Sequence, residues 1–244
     1  MYRNYLNIPE EIRDQAIYRI MPIERLIEVF YCEKLSLVRP KMWDDPFENW
    51  LLKSYGLTPE GDRVNLTNIR DAIYGQCWTF HRETDAMWRI YSHAKQGAKV
   101  KTTIRKLLES LYSSTDDFPE LSCFIGKVQY LTVEDMKQKL TTHDFFDSTG
   151  AGTAETLLFK RDSFEHENEV RLIFHFPESN KATNDIHQFQ INPRELFDEI
   201  VLDPRIGEDI FQSKRNALKD KGFSKSIEQS ELYRPPEELI IEWL

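Results

Sequence analysis

Glu167-Asn168-Glu169-Val170-Arg171-Leu172-Ile173-Phe174-His175-Phe176 is the stretch that decides how this chain folds. Read as a strand, it has two unlike faces, because successive side chains of a strand point to opposite sides. Val170, Leu172, Phe174 and Phe176 fall on one side, and Glu167, Glu169, Arg171, Ile173 and His175 on the other. The first face can pack in a core. The second aligns two carboxylates with a guanidinium, although acidic residues are depleted in strands. Such a conflict between propensity and pattern is expected at functional sites, and a salt-bridged, solvated sheet face gives the same pattern.

The sequence on either side predicts a mixed order of elements. Pro9 to Gln15 reads as a short helix and Ala16 to Ile20 as a strand, with Pro22 opening a helix that runs to about Glu33. In that helix Ile23, Leu26, Ile27 and Phe30 follow the three-and-four spacing of a buried stripe. Leu35 to Val38 reads as a strand and Arg39 to Glu48 as a loop carrying Pro40 and Pro46. Leu66 to Tyr74 reads as helical, leading into a strand from Gln76 to Phe80. Asp85 to Lys95 is helical again, broken by Gly97 before a strand from Ala98 to Thr103 and a helix ending near Tyr112. Ser122 to Leu131 reads as extended, Thr132 as a helix cap, and Asp147 to Thr153, with two glycines, as a mobile loop beside the candidate site. Strands follow at Val170 to Phe176, Ile186 to Ile191 and Glu199 to Leu202. The turn from Pro177 to Asp185 predicts that the first two form an antiparallel pair. A helix from Ile206 to Lys221, ended by Gly222, and an edge strand within Phe223 to Leu232 complete the order. The sum is an α+β fold in a single domain, residues 1–244, with a central, largely antiparallel sheet flanked by helices.

Composition narrows the function classes. With 40% hydrophobic and 30% charged residues in 244, the chain has an ordinary folded composition. A formal net charge of -9 disfavours broad, nonspecific contact with nucleic acid or anionic membrane, while leaving room for a local basic groove. Met1 to Glu11 lacks the apolar region of a signal peptide and no apolar run approaches a membrane span, which predicts a cytoplasmic protein. Cys32, Cys77 and Cys123 are odd in number and far apart, which predicts reduced thiols.

Most common catalytic signatures are missing. There is no Gly-x-Gly-x-x-Gly or Gly-x-x-x-x-Gly-Lys-Ser/Thr loop, no His-Glu-x-x-His and no Ser nucleophile elbow. Cys77, His81 and His93 lack a fourth ligand and paired spacing for a metal. In Lys41-Met42-Trp43-Asp44-Asp45-Pro46-Phe47-Glu48, Asp44 or Asp45 can close an Asx-type turn, Pro46 fixes the backbone and Phe47 can plug the core. Met87, Trp88 and Tyr91 sit at helical spacing, which favours core packing over a ligand cradle. Arg89 lies off that stripe, where it can hold a phosphate or pair with a surface acid.

Three of these stretches resemble the landmarks of a widespread bacterial domain family of unknown function. They are Leu37-Val38-Arg39-Pro40 through Asp45-Pro46-Phe47-Glu48, Met87-Trp88-Arg89-Ile90-Tyr91-Ser92 through Gly97, and Glu167-Asn168-Glu169-Val170-Arg171. Glu199 to Pro204 and Ser230 to Tyr233 also suit that family, while Asp44 stands where it usually has Asn. The family supplies no activity.

A second resemblance does. The order of a Tyr18-Arg19-Ile20 strand, a Trp78-Thr79-Phe80 strand and a Glu167-x-Glu169 strand is similar to the Arg, Ser/Thr, Glu-x-Glu order of toxin-like mono-ADP-ribosyltransferases. It implies a fold of that kind and NAD as substrate. Arg19 would hold the phosphates, Thr79 would order the site, and Glu169 would be the catalytic carboxylate at the nicotinamide ribose. Glu167 would orient or activate the acceptor, and Arg171 would keep Glu169 ionised. Arg39, Arg89 and Tyr91 complete the expected cofactor-binding set. The acceptor is open among protein, nucleic acid and water. A toxin or phage-defence role, with a neutralising partner protein, is a further implication. Two other classes stand beside this one: a non-catalytic ligand- or protein-binding module, and a Mg²⁺-dependent nuclease or phosphotransfer enzyme using Glu48, Glu167 and Glu169. The transferase needs Arg19, Thr79 and Glu169 on one cleft; the metal enzyme needs Glu48 beside Glu169.

Overall fold

The computed structural model describes residues 2–43, 45, 47, 55–57, 61–65, 71–142, 144, 147–176 and 184–235. In chain order the strands are β1 (Tyr5–Leu6), β2 (Ala16–Pro22), β3 (Lys34–Val38), β4 (Tyr55–Leu57) and β5 (Arg63–Asn65). They continue with β6 (Ile73–Thr79), β7 (Gly97–Thr103), β8 (Cys123–Lys127), β9 (Gln129–Leu131) and β10 (Phe159–Arg161). β11 (Glu169–His175), β12 (Ile186–Gln190), β13 (Glu199–Leu202) and β14 (Ser226–Gln229) close the set. The main sheet runs β1-β8-β11-β6-β2-β7-β13-β14, with β3 attached to β6 and β12 to β3. Its two outer pairings, β1 with β8 and β13 with β14, are parallel. The pairings between them are antiparallel, as are those of β3 and β12. The fold is therefore α+β, with a central, largely antiparallel sheet flanked by helices.

β11 lies at the centre of this sheet, paired along its length with β6 and β8. The opposite edge of β6 forks. It meets β2 at one pair, Tyr18 opposite Thr79, and β3 at another, Val38 opposite Gly75. Between these bridges the Gln76 side chain stands in for a strand: its amide donates to the Ser36 carbonyl at 2.8 Å, and its oxygen accepts from Trp78 Nε1 at 2.7 Å.

The helix Ile23–Cys32 buries Ile23, Leu26, Val29 and Phe30, and ends where Glu33 turns left-handed at φ 52. The helix Ile104–Ser113, capped by the Thr103 hydroxyl, buries Ile104, Leu107, Leu108 and Leu111. Both helices join Val170, Leu172 and Phe174 in the main core. Burying each such side chain contributes on the order of 1.5–3 kcal/mol. On the other face of β11, Ile173 packs with Ile73, Phe124, Ala154, Leu157 and Leu158 in a second cluster. The alternation along β11 holds, and its polar face is not solvated: Glu169 is 4% exposed and Arg171 0%.

Several expected boundaries shift, each for a local reason. β11 begins at Glu169 because Asn168 is left-handed (φ 43), closing a 3-10 helix over Asp162–Glu167, and Asn tolerates that conformation better than most residues. Ile73 and Tyr74 open β6 instead of ending a helix, their side chains being buried in the two clusters; residues 66–70 lie outside those described. β12 pairs with β3, Ile186 opposite Val38, and not with β11; residues 177–183 between them lie outside those described. Residues 151–155 form a helix where the sequence predicts a mobile loop. Gly152 permits its close packing, since a Cβ there would lie 1.9 Å from the Asp144 carbonyl oxygen. The helix from Asp85 stops at Tyr91, short of Lys95. No helix among the described residues is long and apolar enough to cross a membrane.

Candidate active site

The site begins with β11. Glu169 and Arg171 are two residues apart on a strand and so share a face. Arg171 Nε donates to Glu169 Oε2 at 2.6 Å, and its Nη1 donates to the Leu157 carbonyl at 2.7 Å. Trp43 covers the guanidinium, with its ring centroid 4.5 Å from the Arg171 Cζ. Trp43 also lies against Gly75, where a Cβ would meet its ring at 2.7 Å. In the same loop the Asp45 carboxylate accepts from the Phe47 amide at 3.0 Å, the expected Asx-type turn, and takes an ion pair from Arg161 at 3.0 Å. Phe47 lies under that same Arg161, 4.2 Å from its guanidinium carbon to the ring centroid.

The remaining charge is supplied by a residue the sequence did not mark. Lys160, on β10 and 6% exposed, places its Nζ 2.5 Å from Glu167 Oε2 and 2.5 Å from Glu169 Oε1. Two buried carboxylates are thus held between two buried cations. Burial works against ionisation of Glu169, but Arg171, Glu167 and Lys160 together hold its pKa well below the usual carboxylate range. Burial first, and the hydrogen bond shared with Glu169 second, push the Glu167 carboxyl up to about 7, with Lys160 holding it back. The environments of the two acids therefore separate them into one fixed anion and one group that titrates near neutrality.

Thr79 lies opposite Glu169 across the β11–β6 pair. Its hydroxyl donates to the Glu167 carbonyl at 2.7 Å and accepts from the His81 amide at 3.0 Å. The Glu169 amide donates to the Tyr130 hydroxyl at 2.8 Å. These bonds fix the backbone on both sides of Asn168.

A cavity of about 110 Å³ opens at the fork of the sheet. Arg19 from β2, Cys77 and Thr79 from β6, Tyr91 from the helix Asp85–Tyr91, and Glu167 and Glu169 all line it. Arg19 makes no hydrogen bond or ion pair among the described residues, and burial lowers its pKa to about 10 against partial compensation from Cys77 and Tyr91. It stays a cation at neutral pH, under-compensated by its surroundings. Burial, and then the Glu167 carboxylate, push the Tyr91 phenol pKa up, so it stays a hydroxyl.

Neither a family model nor a curated protein matches the chain. Among solved structures, it is similar to the Thermus sp. 2.9 DarT in complex with NAD+, at 13% identity and a TM-score of 0.43 over 92% of this chain and 98% of that one. The same protein in complex with carba-NAD+ gives 11% and 0.40 over 92% and 98%. In complex with ADP-ribosylated ssDNA it gives 12% and 0.43 over 92% and 97%.

The other expected residues lie elsewhere. Arg171 is enclosed, does not line the cavity, and bonds to Glu169, which does. Arg39 is buried beside Tyr74 and pairs with Asp185 at 3.3 Å, away from the cavity lining. Arg89 is exposed and pairs with Asp85 at 2.7 Å one helical turn back, pointing off the stripe that carries Met87 and Tyr91. Glu48 lies outside the described residues, which contain no cluster of three metal-ligating side chains.

Proposed function

We propose that the chain is an NAD-consuming enzyme of the mono-ADP-ribosyltransferase kind, transferase before hydrolase. The observation that carries the reading is the meeting of Arg19, Thr79, Glu167 and Glu169 on one cavity. Cleaving the nicotinamide–ribose bond sends its electron pair to the pyridinium nitrogen and leaves an oxocarbenium-like ribose. A fixed carboxylate beside that centre stabilises the charge as it develops. Glu169 has the required permanent ionisation. The acceptor then bonds to the ribose carbon and must lose a proton; Glu167, with a pKa of about 7, suits the base that takes it. Thr79 is a positioning residue, acting through the Glu167 carbonyl.

At about 110 Å³ the cavity is smaller than the apolar cavity of about 150 Å³ known to hold benzene, so it takes the leading edge of one ring at most. The nicotinamide end would enter, and the diphosphate would stay outside against Arg19. A binding module would also be served by the ion-pair network, since both oxygens of Glu169 have protein partners. Arg19, a partly buried cation on the cavity wall with no hydrogen bond or ion pair among the described residues, is suited to an anionic ligand under either reading, and the enzyme reading adds a use for the two carboxylates beside it. For the metal-dependent reading, Lys160 already occupies the position between the two carboxylates that a cation would take.

Incubating the purified protein with NAD and measuring free nicotinamide tests the proposal. Wild type should release it, and Glu169→Gln should release it about 100-fold more slowly, the scale on which a single electrostatic stabiliser acts. Equal release from both proteins, or none from either with protein, nucleic acid and water offered as acceptors, overturns it.

A further inference from the structure

We propose that a second cavity, on the other face of β11, binds a small organic cation of the quaternary ammonium class. This cavity measures about 290 Å³ and shares no lining residue with the candidate active site. Its inner wall is aromatic. Phe174 and His187 stack face to face, with centroids 4.1 Å apart and planes 2° from parallel. Phe176 stands edge-on to both, at 4.8 Å from Phe174 and 5.5 Å from His187. At the rim, Phe118 is 63% exposed and holds a left-handed backbone at φ 47, a costly conformation for a bulky side chain.

Charge decides what such a wall would take. Asp116 and Asp117 line the rim, exposed, and neither makes an ion pair or hydrogen bond among the described residues. No Lys or Arg is among the described lining residues. The His187 imidazole is desolvated, its pKa lowered to about 4, so it is neutral at pH 7 and adds no positive charge. A ring face presents negative charge to a cation and a ring edge does not; stacking covers one face each of Phe174 and His187, so the outer face of the stack and the exposed Phe118 are what this wall offers. Two exposed carboxylates at the mouth add to that field and repel phosphates. The combination selects a monocation with an apolar shell over an anionic nucleotide.

Isothermal titration of the full chain with choline and with its neutral isostere 3,3-dimethylbutan-1-ol tests this. Choline should bind at least tenfold more tightly. The double variant Asp116→Asn/Asp117→Asn should lower that preference several-fold, and Phe118→Ser, at an exposed position, should weaken choline several-fold without lowering the melting temperature. NAD turnover should be the same in wild type and both variants, so this site and the NAD site stand or fall separately. No choline binding, equal binding of the two ligands, or choline binding unchanged in the double variant overturns the proposal.

Discussion

Lys160 keeps together two carboxylates that would otherwise repel, since Glu167 and Glu169 both reach its Nζ at 2.5 Å. Removing one partner of a buried ion cluster leaves uncompensated charge, so Lys160→Met should destabilise the fold by about 3–5 kcal/mol in urea titrations. Adding Glu167→Gln to that variant should restore part of the loss, and additive losses would contradict the pairing. The same acid sets a pH dependence. Glu167 prefers its proton in the folded state, up to about pH 7, so its contribution is full below the unfolded carboxylate range and is lost as pH rises through 7. Glu169 has the opposite sign: its contribution is present above the unfolded range and lost as pH falls. Together they place the greatest stability near pH 5. Melting temperatures of Glu167→Gln should therefore fall less than those of wild type between pH 5 and pH 8, and an equal fall would remove Glu167 as the cause. Glu169 and Arg171 were legible as a pair because a strand's period of two puts them on one face. Lys160 was not, because its role depends on the 3-10 turn over Asp162–Glu167 folding back, and no periodicity marks such a turn.

At the scale of elements, two of the three motif stretches meet around one guanidinium, with β6 beneath them. Trp43, just after a 3-10 turn over Pro40–Met42, covers Arg171, β6 lends Gly75 beneath that ring, and β11 lends Arg171 itself. Gly75→Ala should cost about 1–3 kcal/mol, the usual range for overpacking, and should shift the fluorescence of Trp43. A silent substitution would mean that the loop yields freely. Thr79→Val should cost about 1–3 kcal/mol by leaving the buried Glu167 carbonyl without its donor, whereas Thr79→Ser should retain most of the stability, both read from thermal melts. Strands such as β2, β3 and β13 were readable because apolar runs bounded by turn residues fix their extent. Their partners were not: sequence adjacency favours pairing β12 with β11, yet β12 lies on β3, and His187 reaches β11 by stacking on Phe174. The left-handed Asn168 likewise interrupts a pattern whose period alone would carry the strand back to Glu167.

For the whole molecule, the controlling feature is the forked edge of β6, where β2 and β3 each hold on by a single pair. Arg19 belongs to the arm formed by β2, β7, β13 and β14, while Glu169 belongs to the arm formed by β6, β11, β8 and β1. If NAD binds at the fork, hydrogen exchange measured by mass spectrometry should slow several-fold at β2 around Arg19 and at β6 around Thr79, and stay unchanged in β14. Slowing spread evenly over the chain would contradict binding there. The fork also gives the site a mechanical coordinate. The separation of the Arg19 guanidinium from the Glu169 carboxylate is set by the angle between two arms of one sheet, joined locally by a single backbone bridge. A substitution in β13 or β14 that tilted its arm would change the reach between them and, on the proposed reading, the rate of NAD turnover, without touching any residue of the cavity.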